Sequence, residues 1–168
     1  MKHIFRILLL LIISFKLFAQ DTAIVKRQAA LMAKAVVKGD YKTLVDHMYP
    51  KFVAMSGGKE KVIAMANAGM SQLKAQGFVL ESAVAGSPEK FYKAGKEIHC
   101  LIPEIVTVKT ANGRATMRSN LLAVSSDHGK TWSFLDLNQS TIPQIPKLFP
   151  HFNPDLKIPQ PTMMGQAQ

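Results

Sequence analysis

EIHCLIPEIVTVKTANGRATMRSNLLAVS, residues 97–125, alternates in side-chain character on both sides of the pair Asn112-Gly113. In Glu97–Lys109, Ile98, Cys100 and Ile102 fall on one phase and His99 and Leu101 on the other, which is the two-residue period of a strand. Asn-Gly accepts the left-handed angles of a tight hairpin, so Arg114–Ser125 is expected to return as a long partner strand carrying Leu121, Leu122, Ala123 and Val124. Pro103 has no N–H to give to a ladder and belongs at a bulge or an edge position.

Outward from this hairpin the period changes with direction. Upstream, Phe78, Leu80, Ser82 and Val84 continue the strand alternation, and Lys90–Lys93 reads as a short strand before Gly95. Before Gly77 the spacing becomes helical. Val25, Ala29, Met32 and Val36 mark a helix over Thr22–Lys38, stopped by Gly39. Asp40 caps a second helix with Tyr41, Leu44, Val45 and Met48 on one side, and Pro50 predicts a break after Tyr49. Phe52–Met55 reads as a short turn before Gly57-Gly58. A third helix over Lys59–Ala75 should present Val62, Ala66, Met70 and Leu73 to the core.

Downstream, Trp132–Leu137 forms a further strand after the turn at Asp127–Gly129. Six prolines from Pro143 to Pro161 exclude a long helix, although a helical turn near Ile145–Phe149 fits. Phe149, Phe152 and Leu156 should pin this segment to the domain. Helices first and an antiparallel meander after them define an α+β domain, with the helices packed on one face of the sheet. The division is a signal peptide over 1–19, one domain over 20–158 and a flexible tail over 159–168, where Met163–Gln168 should fray.

Lys2, His3 and Arg6 precede the apolar run Ile7–Ile13, and Ala19 offers a small residue for cleavage, the layout of an export signal. Lys16 interrupts the run, so no transmembrane anchor is expected after processing, and the protein is expected in the periplasm or outside the cell. Loss of Lys2, Arg6 and Lys16 leaves 18 basic against 11 acidic residues, a formal charge of +7. That favours solubility and anionic partners, but the lysines are scattered without interleaved aromatics, so no nucleic-acid partner is expected. Cys100 is the single cysteine, which leaves packing alone to hold the fold, and its place in the alternation marks it as a buried thiol.

The order of elements, with the phrases Lys38-Gly39-Asp40-Tyr41, His47-Met48-Tyr49-Pro50, Gly57-Gly58-Lys59-Glu60 and Gly129-Lys130-Thr131-Trp132, resembles the nuclear transport factor two-like, or SnoaL-like, superfamily, in its uncharacterised secreted branch. Phe18-Ala19-Gln20 is similar to the ends of signal peptides in Bacteroidetes-type bacteria. The resemblance spans about Thr22–Leu156 and implies a cone-shaped fold with a curved antiparallel sheet, a cavity, and a homodimer through the sheet. Ser125, Asp127, Gly129, Thr131 and Trp132 also match the Asp-box pattern of propeller hairpins. A single copy makes no propeller, so these five residues are assigned to stabilising a turn.

A cavity of that kind would draw its wall from the long strands and the inward helix faces. Tyr49, Tyr92, Arg118, Asn120 and Trp132 are the candidate ligand-binding residues. His99 with Asp136 is the candidate catalytic pair, since a carboxylate can orient an imidazole and raise its basicity. His47, His99, His128 and His151 are too dispersed for a metal site, and no glycine-rich nucleotide fingerprint or nucleophile elbow occurs, so no cofactor is implied. The expected function is a secreted or periplasmic accessory domain that binds a small apolar or amphipathic ligand or a partner protein. The alternative is a cofactor-independent isomerase, cyclase or lyase using a cavity acid/base.

Overall fold

The computed structural model describes residues 16–167, with side-chain surroundings for 22–164. The export signal read over 1–19 lies for the most part outside the described residues. Among the described residues, four helices come first: α1 (Lys16–Lys38), α2 (Tyr41–His47), α3 (Pro50–Met55) and α4 (Lys59–Ala75). The strands are β1 (Val79–Ala85), β2 (Tyr92–Ala94), β3 (Glu97–Thr110), β4 (Gly113–Ser125), β5 (Ser133–Leu137) and β6 (Thr162–Ala167), with a 3-10 turn (Ile142–Gln144) and α5 (Ile145–Leu148) before the last. No helix of the described residues is long and apolar enough to cross a membrane.

The helix boundaries follow local chemistry. Gly39 takes a φ of 70°, and the Asp40 carboxylate accepts the Thr43 N–H at 3.1 Å, which starts α2. The break foreseen after Tyr49 falls at Met48–Tyr49. Pro50 then opens α3 instead of ending a helix, because the first helical position needs no N–H donor. The short turn read at Phe52–Met55 is therefore part of a helix of its own, α3.

All six strands form one antiparallel sheet in the order β1-β3-β4-β5, with β2 sharing the β3 edge beside β1 and β6 sharing the β4 edge beside β5. The hairpin turn lies one residue earlier than Asn112-Gly113: Thr110 pairs with Gly113, which takes the left-handed angle at φ 122°. Pro103 sits where the β3 edge passes from β2 to β1. Its carbonyl accepts the Gly86 N–H at 2.7 Å, so its missing donor faces a stretch where no strand pairs. The tail read over 159–168 is not wholly irregular, since Thr162–Ala167 pairs with Gly113–Arg118. The stretch Gly113–Arg118 of β4 runs beyond the end of β5, and its backbone groups on that edge find partners this way.

Both faces of the sheet are buried near β5. On one face, Val25, Ala29 and Met32 of α1 cover Cys100, Ile102, Leu121, Ala123 and Phe134. On the other, Ile145, Leu148, Phe149 and Leu156 cover Leu101, Leu122, Val124, Leu135 and Leu137. These are called the helix face and, after the strap of residues 145–158 that covers it, the strap face. Two-sided cover explains the continuous apolar run Leu121–Val124, which a half-solvated strand would not carry.

The β4–β5 turn is built by the five Asp-box residues. Asp127 Oδ1 accepts the N–H groups of Lys130 (3.1 Å) and Thr131 (2.9 Å) and the Ser125 hydroxyl (2.8 Å), and Oδ2 accepts the Thr131 hydroxyl at 2.6 Å. Gly129 donates its N–H to Ser125 Oγ, and Trp132 Nε1 donates to the Gly129 carbonyl at 3.0 Å. Partial burial raises the Asp127 carboxyl, but the donors from Thr131, Ser125 and Lys130 outweigh it and hold the pKa at about 2. Asp127→Ala strands these donors and is expected to lower stability by about 2 kcal/mol, read from the urea midpoint at pH 7. The carboxylate's contribution should be present in wild type above pH 3.8 and fade as pH falls through about 2.

Candidate functional site

Strand register decides which of the candidate residues meet. His99 pairs with Val124, and Val124 with Ser133, whereas Asp136 pairs with Leu121, and Leu121 with Ile102. Side chains directly across a ladder share a face, so His99 belongs to the strap face and Asp136 to the helix face. The two stand on opposite sides of the sheet and make no dyad. Tyr49, Tyr92, Asn120 and Arg118 share the strap face with His99. Tyr49 and Asn120 are buried there, Tyr92 is half-buried and Arg118 is exposed. Trp132 packs with the helix-face core, 5.6 Å from the Phe91 ring.

On the strap face, Glu97 joins Tyr49 to His99. The Tyr49 hydroxyl donates to Glu97 Oε1 at 3.1 Å, and His99 Nε2 lies 3.1 Å from Glu97 Oε2. An ionised carboxylate only accepts, so Nε2 carries the proton and Nδ1 is a bare lone pair. Nδ1 is buried without a partner. Burial lowers the His99 pKa more than the neighbouring Glu97 raises it, so the ring is neutral at pH 7. The same burial, with the Glu97 charge beside it, pushes the Tyr49 hydroxyl up to about 12. This cluster is filled by Phe149 and Phe152 of the strap, the first in an edge contact with His99 at 5.0 Å.

The helix face holds two carboxylates. Glu104 follows Ile98, Cys100 and Ile102 on the buried phase of β3, is only 8 % exposed, and has no hydrogen-bond partner among the described residues. Asp136, two strands away on the same face, accepts an N–H from the Asn138 amide at 2.8 Å. Burial raises both carboxyls. In Asp136 the Asn138 bond opposes the rise, so Asp136 ionises first. Glu104 then meets the Asp136 charge as well as its own burial and is pushed up to about 7. A carboxyl that is half-protonated near neutral pH can both give and take a proton. Among the described residues no three His, Cys, Asp or Glu side chains gather as a metal-ligating group.

An open groove of about 490 Å³ runs between α1, α2 and α4, walled by Val36, Tyr41, Leu44, Ala66, Met70 and Leu73. Gly69 also lines it, and the exposed Gln72 and Gln76 supply its polar groups. The helical stripe expected to enter the core does so only in part: Val62 is buried, Ala66 and Met70 are half-buried, and Leu73 is 43 % exposed. None of the five candidate ligand-binding residues lines this groove. Leu44 also touches the helix-face core, which places the groove at its margin.

Glu97, Glu104 and the groove escaped the sequence reading. Glu104 left a signal there, a carboxylate on the apolar phase of a strand, as did Gly69, which interrupts an apolar helical stripe. No protein-family model matches the chain and no curated protein matches it.

Glu104 imposes a pH dependence with a definite sign. Its folded pKa of about 7 exceeds the ordinary 4.5, so its contribution is fully present below pH 4.5 and is lost as pH rises through 7. Glu104→Gln should match wild type near pH 4 and exceed it at pH 8 by up to about 3 kcal/mol, as measured by urea unfolding at both pH values.

Proposed function

We propose that this protein is an exported binding domain that holds a small apolar or amphipathic ligand in the groove between α1, α2 and α4. The observation that carries the reading is the groove itself: an open space of about 490 Å³ with hydrocarbon walls and two glutamine amides within reach. Ligand sites are concave and mostly apolar, with a few polar groups that fix orientation, and this groove has both. The helices-then-sheet architecture is compatible with the nuclear transport factor two-like fold that the sequence resembles, and that assignment is part of the same proposal.

Gly69 permits a test that separates binding from folding. A Cβ at this position meets nothing within 4 Å, and the helix gains propensity when glycine is replaced. Gly69→Phe should fold with a thermal midpoint at or above wild type while filling the groove. Titration with an anilinonaphthalene sulfonate probe is expected to show at least tenfold weaker binding in this variant. Equal probe binding by the folded variant and wild type would remove the groove as the site.

Acid/base catalysis is a second reading, favoured by the elevated pKa of Glu104 beside Asp136. It replaces the His99–Asp136 pairing, which the register separates. The reading expects that enolisable ketones incubated with the protein in deuterium oxide take up deuterium at carbon, followed by proton NMR, and that Glu104→Gln abolishes the uptake. Absence of uptake above the buffer rate across a ketone panel would count against it.

A further inference from the structure

We propose that residues 145–158 form an acid-released strap, closed over the sheet only while the buried His99 ring is neutral. The geometry of one nitrogen carries this. His99 is fully buried, its Nε2 is committed to Glu97, and its Nδ1 has no partner. A second proton on the ring must sit on Nδ1, where a charged N–H would be buried without an acceptor. Phe149 and Phe152 close this site, with ring centroids 5.0 and 5.7 Å from the imidazole. Lifting the strap admits water to Nδ1; keeping it closed forbids the proton.

The groups facing His99 do not relieve this. Glu97 on β3 already holds Nε2 and shares its carboxylate with Tyr49, which leads into α3. Tyr92 on β2 is the register partner of His99, with Lys90 Nζ 5.1 Å from its ring centre. Val124 of β4 and Ser133 of β5 follow on the same face, and the Ser133 hydroxyl is directed to the Val124 carbonyl. On the strap itself, His151 is exposed and lies against Gly95. Lys51 of α3 donates to the Lys147 and Leu148 carbonyls at 3.1 and 2.8 Å, a tether at the start of the strap.

Besides the Lys51 tether, the strap is held by the Asn153 amide, which donates to the Lys93 carbonyl at 2.9 Å, and by its buried side chains Ile145, Leu148, Phe149 and Leu156. Among its own backbone bonds, Phe149 to Ile145, Phe152 to Phe149 and Leu156 to Asn153 are all local, so release breaks no strand ladder. Opening would uncover the apolar strap face around Leu101, Leu122 and Leu135. An exported protein meets the pH of its surroundings directly, and the strap would report it.

Burial lowers the His99 pKa in the closed form, so the open form takes the proton first and the equilibrium shifts toward opening as pH falls below 6.5. Amide hydrogen exchange by NMR on the purified protein, corrected for intrinsic rates between pH 7.5 and 5, tests this. Protection at Phe149, Phe152 and Leu156 is expected to fall by up to tenfold per pH unit below 6.5, while amides of Leu121–Val124 keep theirs. In His99→Gln the strap amides should lose this pH dependence. If that variant does not fold, the His99 ring resonances of wild type must titrate with the same midpoint as strap loosening. Strap protection that tracks β4 at every pH, an unchanged pH dependence in His99→Gln, or a ring midpoint apart from the loosening would each overturn the proposal.

Discussion

Thirteen consecutive residue pairs lock β3 to β4 without a slip, and this register assigns every side chain of the two long strands to one face or the other. A shift by one residue would exchange Leu101 and Leu122 with Cys100 and Ala123, and would present each core with the wrong shapes. α1 and the strap both depend on that assignment. The helix brings Val25, Ala29 and Met32 to one face, while Phe149 and Leu156 close the other. The sheet therefore acts as a shared wall between two cores, and each cover packs against the face that the β3–β4 pairing defines.

Two-sided burial also explains why titratable groups on this sheet are displaced in opposite senses. On the strap face, desolvation disfavours the charged imidazole of His99, so its pKa falls; on the helix face it disfavours the charged carboxylate of Glu104, which rises to about 7. In both cases burial favours the neutral form, an unprotonated base for His99 and a protonated acid for Glu104. Their pH dependences oppose each other: the His99 contribution is lost as pH falls below 6.5, and the Glu104 contribution is lost as pH rises from 4.5 through about 7. The Asp127 carboxylate differs because four polar groups of its own turn are aimed at it, so its charge is stabilised in place.

Most of the fold was legible because it rests on short-range chemistry. The helical stripe Val25, Ala29, Met32, the Asp40 cap, the Asp-box turn and the long hairpin are set by residues within a few positions of one another. The misses were also physical. Ala111-Asn112 took the hairpin centre because Gly113 could accept the left-handed angle at the start of β4. Thr162–Ala167 became a strand because β4 extends beyond β5 and leaves backbone groups for it to pair. The candidate site fared less well. Tyr49, Asn120 and Trp132 were read as cavity wall, yet their neighbours fill the space around them. Of the α4 positions read as core, Val62 is buried, whereas Ala66, Met70 and Leu73 border an open groove.

The sequence by itself determined which segments coil, which extend, where they turn, and that the long strands carry apolar side chains in both phases. Periodicity and turn chemistry act within a few residues, so they need no knowledge of the rest of the chain. Only the tertiary structure decided that His99 and Asp136 lie on opposite faces, that Glu97 joins Tyr49 to His99, that Glu104 and Asp136 share a face, and that α4 leaves a gap beside α1 and α2. Those relations join residues tens of positions apart, and their geometry comes from strand pairing and helix docking, which no local pattern of side chains encodes.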